Sequence, residues 1–273
     1  MEKKYYIGII ILIVILIAVG IYINHKTEYN TNNEFDNINN DNNTFIVGYD
    51  ATFAPFTYEK NGNVTGFDVE LAQELCKRKG WNLILKPIDW DLRDEELNND
   101  KIDCVWSGFS MNGRENQYAW SKPYCNNQIV PIVKNDSTFT SMDDLDNKTV
   151  QVQSGSTSLD YIENNIPVAL SFKKIIQVSN YDEAFDDLES GKCDMILVDK
   201  VDGIYMINDK HPNFKILNIT LSYEQYGVGF QKDNITLRNE VQETLDEMFK
   251  DGTVDKIAEK YSNYGIPENL VRP

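Results

Sequence analysis

The sequence has few of the side chains on which most acid–base and metal sites depend. Of its 273 residues, 2 are histidine and 4 are cysteine. His25 lies near the N-terminus and His211 precedes a proline, a pattern typical of a loop and not of a placed acid–base pair. The cysteines match no zinc or redox spacing, and one disulfide or none is compatible with them: Cys76, Cys104, Cys125 and Cys193. The sequence therefore predicts no metal site and no cofactor.

Positive charge is also scarce. Lysine and arginine number 26 against 43 aspartates and glutamates, and the formal net charge is -17. The acidic residues are spread along the chain, and no cluster of basic residues offsets them. Because binding to a phosphate backbone depends on clustered lysines and arginines, nucleic acid is excluded as a partner.

Long apolar runs are absent except for one, at 7–23, which follows Lys3 and Lys4. The run has about the minimum length for one membrane crossing. Lysines on its leading side predict a cytoplasmic N-terminus and an extracytoplasmic location for the rest of the chain. A cleaved signal peptide has the same outline, but 18–20 is a poor small-residue cleavage pattern. We therefore expect a single N-terminal membrane anchor at 1–24, with the folded part on the extracytoplasmic face of the cell membrane.

The next segment, 25–44, is rich in Asn, Asp, Thr and Glu and has almost nothing to bury, which predicts a flexible linker. From Phe45 onward, strand-like and helix-like patterns alternate, as in an α/β protein. A helix is predicted from Asp68, as N-cap, to Gly80. Further helices are predicted at 157–163, 180–190, 236–249 and 254–261, and strands at 45–49, 82–88, 103–106, 128–133, 149–152, 174–178, 193–198 and 226–231.

Several ordered motifs carry a specific resemblance. Val-Gly-Tyr-Asp at 47–50 precedes Phe-Ala-Pro-Phe at 53–56, and Gly-Phe-Asp-Val-Glu-Leu-Ala is next at 66–72. The later motifs are 107–115, which contains Arg114, then 120–124, 144–150, 154–157 and 190–194, which leads to Asp199. Together they resemble the family 3 extracellular solute-binding proteins, which serve polar amino acid importers. The resemblance covers nearly all of 45–273.

The resemblance implies a type II periplasmic-binding-protein-like fold. In this α/β fold, two lobes are each a mostly parallel sheet flanked by helices, and two hinge crossings join them. We expect lobe 1 at 45–132 and 226–273, lobe 2 at 133–225, and the crossings near 129–134 and 222–230.

The resemblance also implies a site for a free amino acid. Arg114 would bind the α-carboxylate, since a guanidinium offers two parallel donors to two oxygens. Ser156 and Thr157, where a helix is predicted to begin, would hold the same group from the other lobe. Asp199, at the end of a buried strand, would take the α-ammonium; helix capping is its structural alternative.

Four further positions match the family's pocket walls and first-lobe contacts. Phe53 and Trp90 match aromatic walls, and Asp50 ends the first strand, where an Asx turn is the alternative role. Ser110 lies only four residues before Arg114, whereas the family commonly has five, so that Ser107, Gly108 and Ser110 all stay open as the first-lobe contact. Asp50 favours a polar or cationic ligand side chain.

The implied function is the extracytoplasmic, non-enzymatic amino-acid-binding component of an ABC importer, a monomer with a membrane permease as partner. Three alternatives stay open. A sensor ectodomain would share the anchor, although no signalling domain is evident in the chain. A dehydratase on the same fold would need an acid and a base, which carboxylates alone can supply. A purely structural surface protein would have no need of the two-lobe order.

Overall fold

The computed structural model of the protein describes residues 43–272. Residues from Phe45 onward form one compact unit. The predicted anchor, 1–24, and nearly all of the predicted linker, 25–44, lie outside the described residues. Within 43–272, no helix has the length and the apolar character that crossing a bilayer requires.

Strands of two to ten residues alternate with helices along this unit. The strands are β1 (Thr44–Tyr49), β2 (Thr52–Phe53), β3 (Thr57–Lys60), β4 (Asn63–Thr65), β5 (Asn82–Pro87), β6 (Cys104–Val105), β7 (Ala119–Trp120), β8 (Cys125–Lys134), β9 (Thr149–Gln153), β10 (Lys174–Val178), β11 (Met195–Asp199), β12 (Phe214–Ile216), β13 (Ser222–Tyr226) and β14 (Gly229–Phe230). The helices are α1 (Phe67–Lys79), α2 (Arg93–Asn98), α3 (Thr157–Asn164), α4 (Ile166–Ser171), α5 (Tyr181–Ser190), α6 (Lys200–Asp209), α7 (Ile235–Lys250), α8 (Thr253–Glu259) and α9 (Ile266–Asn269).

Two main sheets define two lobes. The first has the strand order β5-β1-β6-β14-β7, and the second has the order β10-β9-β11-β8-β12 with β13 also paired to β8. A small third sheet, β2-β3-β4, carries the aromatic loop after β1. The α/β, two-lobed fold expected from the sequence is confirmed.

The sheets are mixed, which corrects the expectation of mostly parallel sheets. β1 and β6 are parallel, as are β9 with β10 and with β11. However, β8 is antiparallel to β11, β12 and β13, and β14 is antiparallel to β6 and β7. Two parallel strands must be joined by a long crossover connection. The strands that carry the chain from one lobe to the other have no such connection, and they pair antiparallel.

The chain passes between the two sheets through β8 and β13, and all of β13 pairs with the first half of β8. Tyr226 lies opposite Cys125 at one end of this ribbon, and Ser222 lies opposite Ile129 at the other. The second half of β8 also pairs with β11, so that β8 belongs to the second sheet from Ile129 onward. The assignment of 45–132 and 226–273 to one lobe and of 133–225 to the other stays a prediction.

Helix α1 begins differently from the sequence prediction. Its N-cap is Gly66, not Asp68. Gly66 has φ +134, and a Cβ there would lie 2.1 Å from the carbonyl oxygen of Phe56, so that only glycine fits. Asp68 instead turns inward, where it is buried. The prediction of Asp68 as helix cap was therefore wrong.

Alternation along the strands of the second sheet places polar groups at its carboxyl edge. Val150 and Val152 of β9 pack with Met195 and Leu197 of β11 in one apolar cluster. Because successive side chains of a strand point to opposite faces, Gln153 projects from the other face at the end of β9. Both β9 and β11 end in polar residues next to the N-termini of helices, as ligand sites of open α/β sheets require.

Candidate functional site

One pocket brings together all eight residues that the sequence predicted. About 310 Å³ of space not occupied by protein atoms, open solvent included, lies between its lining residues. The lining comprises Asp50, Phe53, Trp90, Ser107, Gly108, Ser110, Arg114, Gln153, Ser156, Thr157 and Asp199. The first seven come from the first lobe and the last four from the second. The structure therefore places the predicted residues around one cleft.

Arg114 reaches across the cleft. It is 5% exposed, and its Nη1 donates to the carbonyl oxygen of Ser110 at 3.3 Å. Its Nη2 donates to the carbonyl oxygen of Gly155 at 3.1 Å and to Oδ2 of Asp160 at 2.6 Å, both in the second lobe. Burial, followed by the neighbouring charge of Arg93, lowers the pKa of Arg114, but a guanidinium remains charged near neutral pH.

The loop that carries Arg114 is fixed by packing. The guanidinium lies over the ring of Phe109 at 5.6 Å, and Nε1 of Trp120 donates to the carbonyl oxygen of Arg114 at 3.0 Å. Trp120 is buried, as a packing residue should be. The buried cation is therefore held in one orientation before any ligand arrives.

The N-terminus of α3 faces the same pocket. Ser156 is the N-cap, and its Oγ accepts a hydrogen bond from the backbone N–H of Leu159 at 3.2 Å. Thr157 is the first residue of the helix, and both side chains are buried and line the pocket. The first backbone N–H groups of a helix have no partner within it and carry partial positive charge, so that this end of the pocket favours an anion.

Asp199 ends β11 as a buried acceptor. Its Oδ1 receives hydrogen bonds from the hydroxyl of Tyr226 at 2.5 Å and from Nδ2 of Asn127 at 2.6 Å. Its side chain makes no capping hydrogen bond to α6, although it occupies the N-cap position. Burial first, and then the charge of Glu224, raises the pKa of Asp199 to about 8. Its carboxyl group is thus positioned for the cleft and not for the helix.

Asp50 forms the Asx turn that was its alternative role and also lines the pocket, and its contact with a ligand stays a prediction. Its Oδ1 accepts from the backbone N–H of Thr52 at 2.8 Å and from the Thr52 hydroxyl at 2.7 Å, which forms an Asx turn. Its Oδ2 accepts from Nε2 of Gln153 at 2.7 Å. This second hydrogen bond joins the two lobes.

Two aromatic rings complete the pocket walls. Phe53 is stacked on Phe56, with ring centroids 5.7 Å apart. A Cβ at Gly108 would lie 2.3 Å from the Phe53 ring, so that glycine permits this close approach. Trp90 meets Phe109 edge to face, with ring centroids 5.3 Å apart. Both walls exclude water from the cleft and offer apolar or π surface to a ligand.

The serines of the first-lobe loop differ in their partners. Oγ of Ser110 donates to Oε2 of Glu224 at 2.8 Å. Oγ of Ser107 accepts from the backbone N–H of Asp50 at 3.1 Å and lies 2.5 Å from the hydroxyl of Thr57. Ser107, Gly108 and Ser110 all line the pocket, so that the shorter spacing before Arg114 leaves all three at the cleft.

Sequence reasoning missed Gln153, Asn127 and Glu224. Gln153 lines the pocket, and the other two are buried around Asp199 and Ser110. Asn127 and Glu224 lie directly opposite each other in the pairing of β8 with β13. No local sequence pattern can predict such a pair, because Asn127 and Glu224 are 97 positions apart in the chain.

Asp68, misread as a helix cap, supports the pocket from behind. Its Oδ2 accepts from the backbone N–H of Gly108 and from the hydroxyl of Tyr124, each at 2.7 Å. Burial raises the pKa of Asp68 to about 7, and these two hydrogen bonds oppose the rise. The carboxyl group thereby fixes Gly108 at the cleft.

Two α/β lobes are joined by paired strands and enclose a buried cleft that holds one guanidinium and several carboxyl groups. These features define the class of two-lobed binding proteins, which capture a small polar solute between their lobes.

The chain belongs to the bacterial extracellular solute-binding proteins, family 3, whose model matches residues 45–264. It is 31% identical to the L-cystine-binding protein TcyJ of Escherichia coli (strain K12) over 225 residues, which are 80% of this chain and 82% of that protein. It is 29% identical to the lysine/arginine/ornithine-binding periplasmic protein of the same organism over 233 residues, 82% of this chain and 89% of that protein.

Solved structures are similar as well. One is an ABC uptake transporter substrate-binding protein from Streptococcus pneumoniae with bound histidine, with a TM-score of 0.77 and 30% identity over 81% of this chain and 92% of that one. Another is an ancestral arginine-binding protein bound to arginine, with a TM-score of 0.74 and 35% identity over 80% of this chain and 98% of that one. The likeness covers both lobes.

Proposed function

We propose that this protein is the extracytoplasmic amino-acid-binding component of an ABC importer. The observation that carries the proposal is that Arg114 and Asp199, a buried cation and a buried carboxyl group, line one pocket. A free amino acid has one charge of each sign, and each must find a partner when its water is removed. The related proteins whose names state a ligand bind cystine, basic amino acids or histidine.

The α-carboxylate binds at the Arg114 end of the pocket. The guanidinium donates to its oxygens, and the N-terminus of α3, with Ser156 and Thr157, adds backbone and hydroxyl donors from the second lobe. In this structure Nη2 of Arg114 donates to the carboxylate of Asp160 at 2.6 Å. The ligand carboxylate replaces Asp160 as the acceptor of this hydrogen bond.

The α-ammonium binds to Asp199, with the hydroxyl of Ser110 nearby in the first lobe. The ligand side chain then extends along the walls of Phe53 and Trp90 toward Asp50. Asp50 and Gln153, hydrogen-bonded to each other at 2.7 Å, offer both acceptors and donors there. Such an end to the pocket favours a polar or cationic side chain over an apolar one.

Lobe closure results from the placement of these partners on both sides of the cleft. With lobe 1 at 45–132 and 226–273 and lobe 2 at 133–225, the open form offers two half-sites. A ligand shifts the balance toward the closed form by its extra affinity for that form. The closed form is what a membrane permease recognises, and a monomer suffices for this cycle.

The proposal also includes the location of the protein. The apolar run at 7–23 anchors the chain in the cell membrane, and the linker at 25–44 separates the anchor from the lobes. This location is consistent with the extracellular setting of the family. The protein binds its solute and does not transform it, in agreement with a family of solute-binding proteins.

A thermal-unfolding screen of the purified chain against the common L-amino acids tests the function. We expect one or a few amino acids to raise the unfolding temperature, because a ligand that binds only the native state stabilises it. At a ligand concentration of about 100 times Kd, the gain is about 2.7 kcal/mol. Arg114→Ala should abolish the shift.

The control variant is Arg272→Ala, which removes an exposed arginine paired with Asp255 and should keep the full shift. A folded, ligand-free wild-type protein that responds to no amino acid would contradict the proposal. A shift that survives Arg114→Ala unchanged would contradict the assignment of the carboxylate site.

A further inference from the structure

Two buried carboxyl groups lie beside each other at the ammonium end of the cleft. Asp199 and Glu224 are 5% and 3% exposed. Nδ2 of Asn127 donates both to Oδ1 of Asp199 at 2.6 Å and to Oε2 of Glu224 at 3.1 Å. Since both oxygens contact one nitrogen, they are at most about 6 Å apart. One neutral amide thus separates two acids.

Among residues 43–272, neither acid forms an ion pair with a cation. Arg114 directs its hydrogen bonds to Ser110, Gly155 and Asp160. Lys200 comes directly after Asp199 in the chain, but its Nζ contacts Gln128. Two carboxylates this close, buried and without a cation, repel each other, and protonation of one relieves the repulsion.

We propose that Asp199 and Glu224 hold one proton between them in the ligand-free protein, and that the α-ammonium of an amino acid displaces this proton when it binds. The inference rests on the proposed function and extends it, since it makes solute capture proton-linked. The O–H bond of the carboxyl group breaks, the proton leaves to solvent, and the ammonium N–H groups donate to the two carboxylates that remain.

Other titratable groups surround Asp199. Burial first, and then the charge of Asp199, raises the pKa of Tyr181 in α5 and of Asp202 in α6, and the charge of Asp50 also raises that of Asp202. Three contacts lower the pKa of Asp199 because they favour its charged form: the hydroxyl of Tyr226, the backbone N–H of Asp199 itself and the charge of Arg114. Burial and the charge of Glu224, which accepts a hydrogen bond from Ser110, outweigh them and raise that pKa to about 8. At neutral pH Asp199 therefore still carries most of its proton.

The position of the pair connects it to the hinge. Asn127 and Glu224 are opposite each other on β8 and β13, the strands that run between the lobes. Ser110, which donates to Glu224 at 2.8 Å, belongs to the first lobe, whereas Asp199 ends a strand of the second. Glu224 thus connects the proposed ammonium site to the strands that run between the lobes.

A buried acceptor beside the pair also lacks a donor. Oδ1 of Asn127 has no hydrogen-bond partner among the described residues. Buried carbonyl oxygens of this kind are rarely left unpaired in native proteins. An ammonium group brings three donors, enough for Asp199, Glu224 and this third acceptor together.

Carbon-13 NMR of the aspartate carboxyl groups tests the shared proton without any ligand. We expect an Asp199 signal, identified by its loss in Asp199→Asn, that titrates near pH 8 and moves down by at least one pH unit in Glu224→Gln. The Asp68 signal should stay in place in both variants, and Asp255→Asn, at the exposed ion pair with Arg272, is the control that leaves the Asp199 titration unchanged. An Asp199 carboxyl group that titrates near the ordinary value of aspartate, or that ignores Glu224→Gln, overturns the proposal.

Calorimetry tests the displacement, with L-arginine, L-glutamine and L-cystine as probes. For a probe that binds, titration at pH 7 in two buffers of different ionisation enthalpy should show close to one proton released per ligand. The Kd should fall about tenfold from pH 6 to pH 7. Both effects should drop by half or more in Glu224→Gln and persist in Asp255→Asn.

The shared proton, its displacement by the ligand and the proposed function can each fail without the others. Binding without proton release and with a pH-independent Kd overturns the displacement, although the proposed function stands. If no common L-amino acid raises the unfolding temperature while the Asp199 titration near pH 8 depends on Glu224, the shared proton stands and the amino-acid function is what fails.

Discussion

At the scale of single residues, the ion pair between Arg114 and Asp160 shows how the site compensates a buried charge before it meets its ligand. Arg114 is 5% exposed, and Asp160 is 46% exposed at the cleft rim. The carboxylate of Asp160 thus neutralises the guanidinium and accepts its hydrogen bond, as a ligand carboxylate would. It is a competitor for the same donor.

Asp160→Asn should therefore tighten amino-acid binding. The variant removes a charged competitor but keeps the size of the side chain. Exposed ion pairs are worth about 0.2–1 kcal/mol, so that Kd should fall about 1.4- to fivefold. Calorimetric titration of the variant beside the wild type measures this change.

Asp182→Asn is the matched control for that substitution. Asp182 is a half-exposed aspartate paired with Lys210 at 2.7 Å, away from the pocket-lining residues, and its loss should leave Kd unchanged. Weaker binding by Asp160→Asn would show that Asp160 assists the bound ligand or the closed form and does not compete.

At the scale of elements, the sequence predicted those helices and strands whose ends depend on neighbouring residues in the chain. The predicted helix at 180–190 is α5 with its N-cap Asn180, whose side chain accepts from the backbone N–H of Glu183. The strand ends at Asp50 and Asp199 were placed correctly, because buried strands are recognisable by their apolar runs. α4 was not predicted, since its six residues are too few to show a helical period and none of them is buried.

Pairing across the chain could not be read in the same way. The mixed sheets depend on β8 and β13 lying side by side, and this pairing also creates the contact between Asn127 and Glu224. Asp68 was misread because its position two residues after a glycine resembles a helix start, whereas its partners Gly108 and Tyr124 come from distant loops. The parts of the site that lie outside the motifs are those formed by contacts between residues far apart in the chain.

The loop between β9 and α3 shows an element under a steric limit. Gly155 has φ +65, and a Cβ there would lie 2.6 Å from Oδ1 of Asp91 and 2.8 Å from Nη1 of Arg93, which belong to the other lobe. Asp91 is exposed and can turn away. Arg93 cannot do so readily, because it is 8% exposed and its Nη1 donates to the carbonyl oxygen of Trp90 at 2.8 Å.

Gly155→Ala should therefore weaken ligand binding more than it weakens folding. The left-handed backbone costs an alanine about 1–2 kcal/mol in any form of the protein. The contact with Arg93 adds strain only when the lobes close, and we expect Kd to rise about three- to tenfold. Thermal unfolding and calorimetry measure the two effects.

Gly62→Ala separates the two causes. Gly62 has φ +75, and nothing lies within 4 Å of the position that a Cβ would take there, so that its variant carries the backbone strain alone and should bind normally. Equal losses of affinity in both variants would show that the contact between residue 155 and Arg93 does not oppose lobe closure.

At the scale of the whole molecule, contacts across the cleft come from several separate places. Arg114 meets Asp160, and Asp50 meets Gln153. Tyr205 of α6 packs on Tyr58 of β3 and on Tyr264, in each case with ring centroids 5.2 Å apart. The described conformation is thus a closed one, with polar and aromatic contacts between the lobes.

Ligand should therefore shorten the distance across the mouth of the cleft. Gln117 and Asn164 line the same opening from opposite lobes, and both are exposed. Spin labels on Gln117→Cys and Asn164→Cys can be attached selectively, because the four native cysteines are buried. We expect double electron–electron resonance to show a broad distance distribution without ligand and a narrower, shorter one at saturation.

Arg114→Ala in the labelled protein decides whether the site drives that change. Arg114 contacts the first lobe through Ser110 and the second through Gly155 and Asp160, so that it favours the closed form by its contacts with both. Because a ligand moves the equilibrium only by its differential affinity, a variant without this guanidinium should stay broad at the same ligand concentration. A labelled wild type that binds its amino acid with an unchanged distribution would show instead that the lobes are already closed, and that the hinge strands do not respond to the solute.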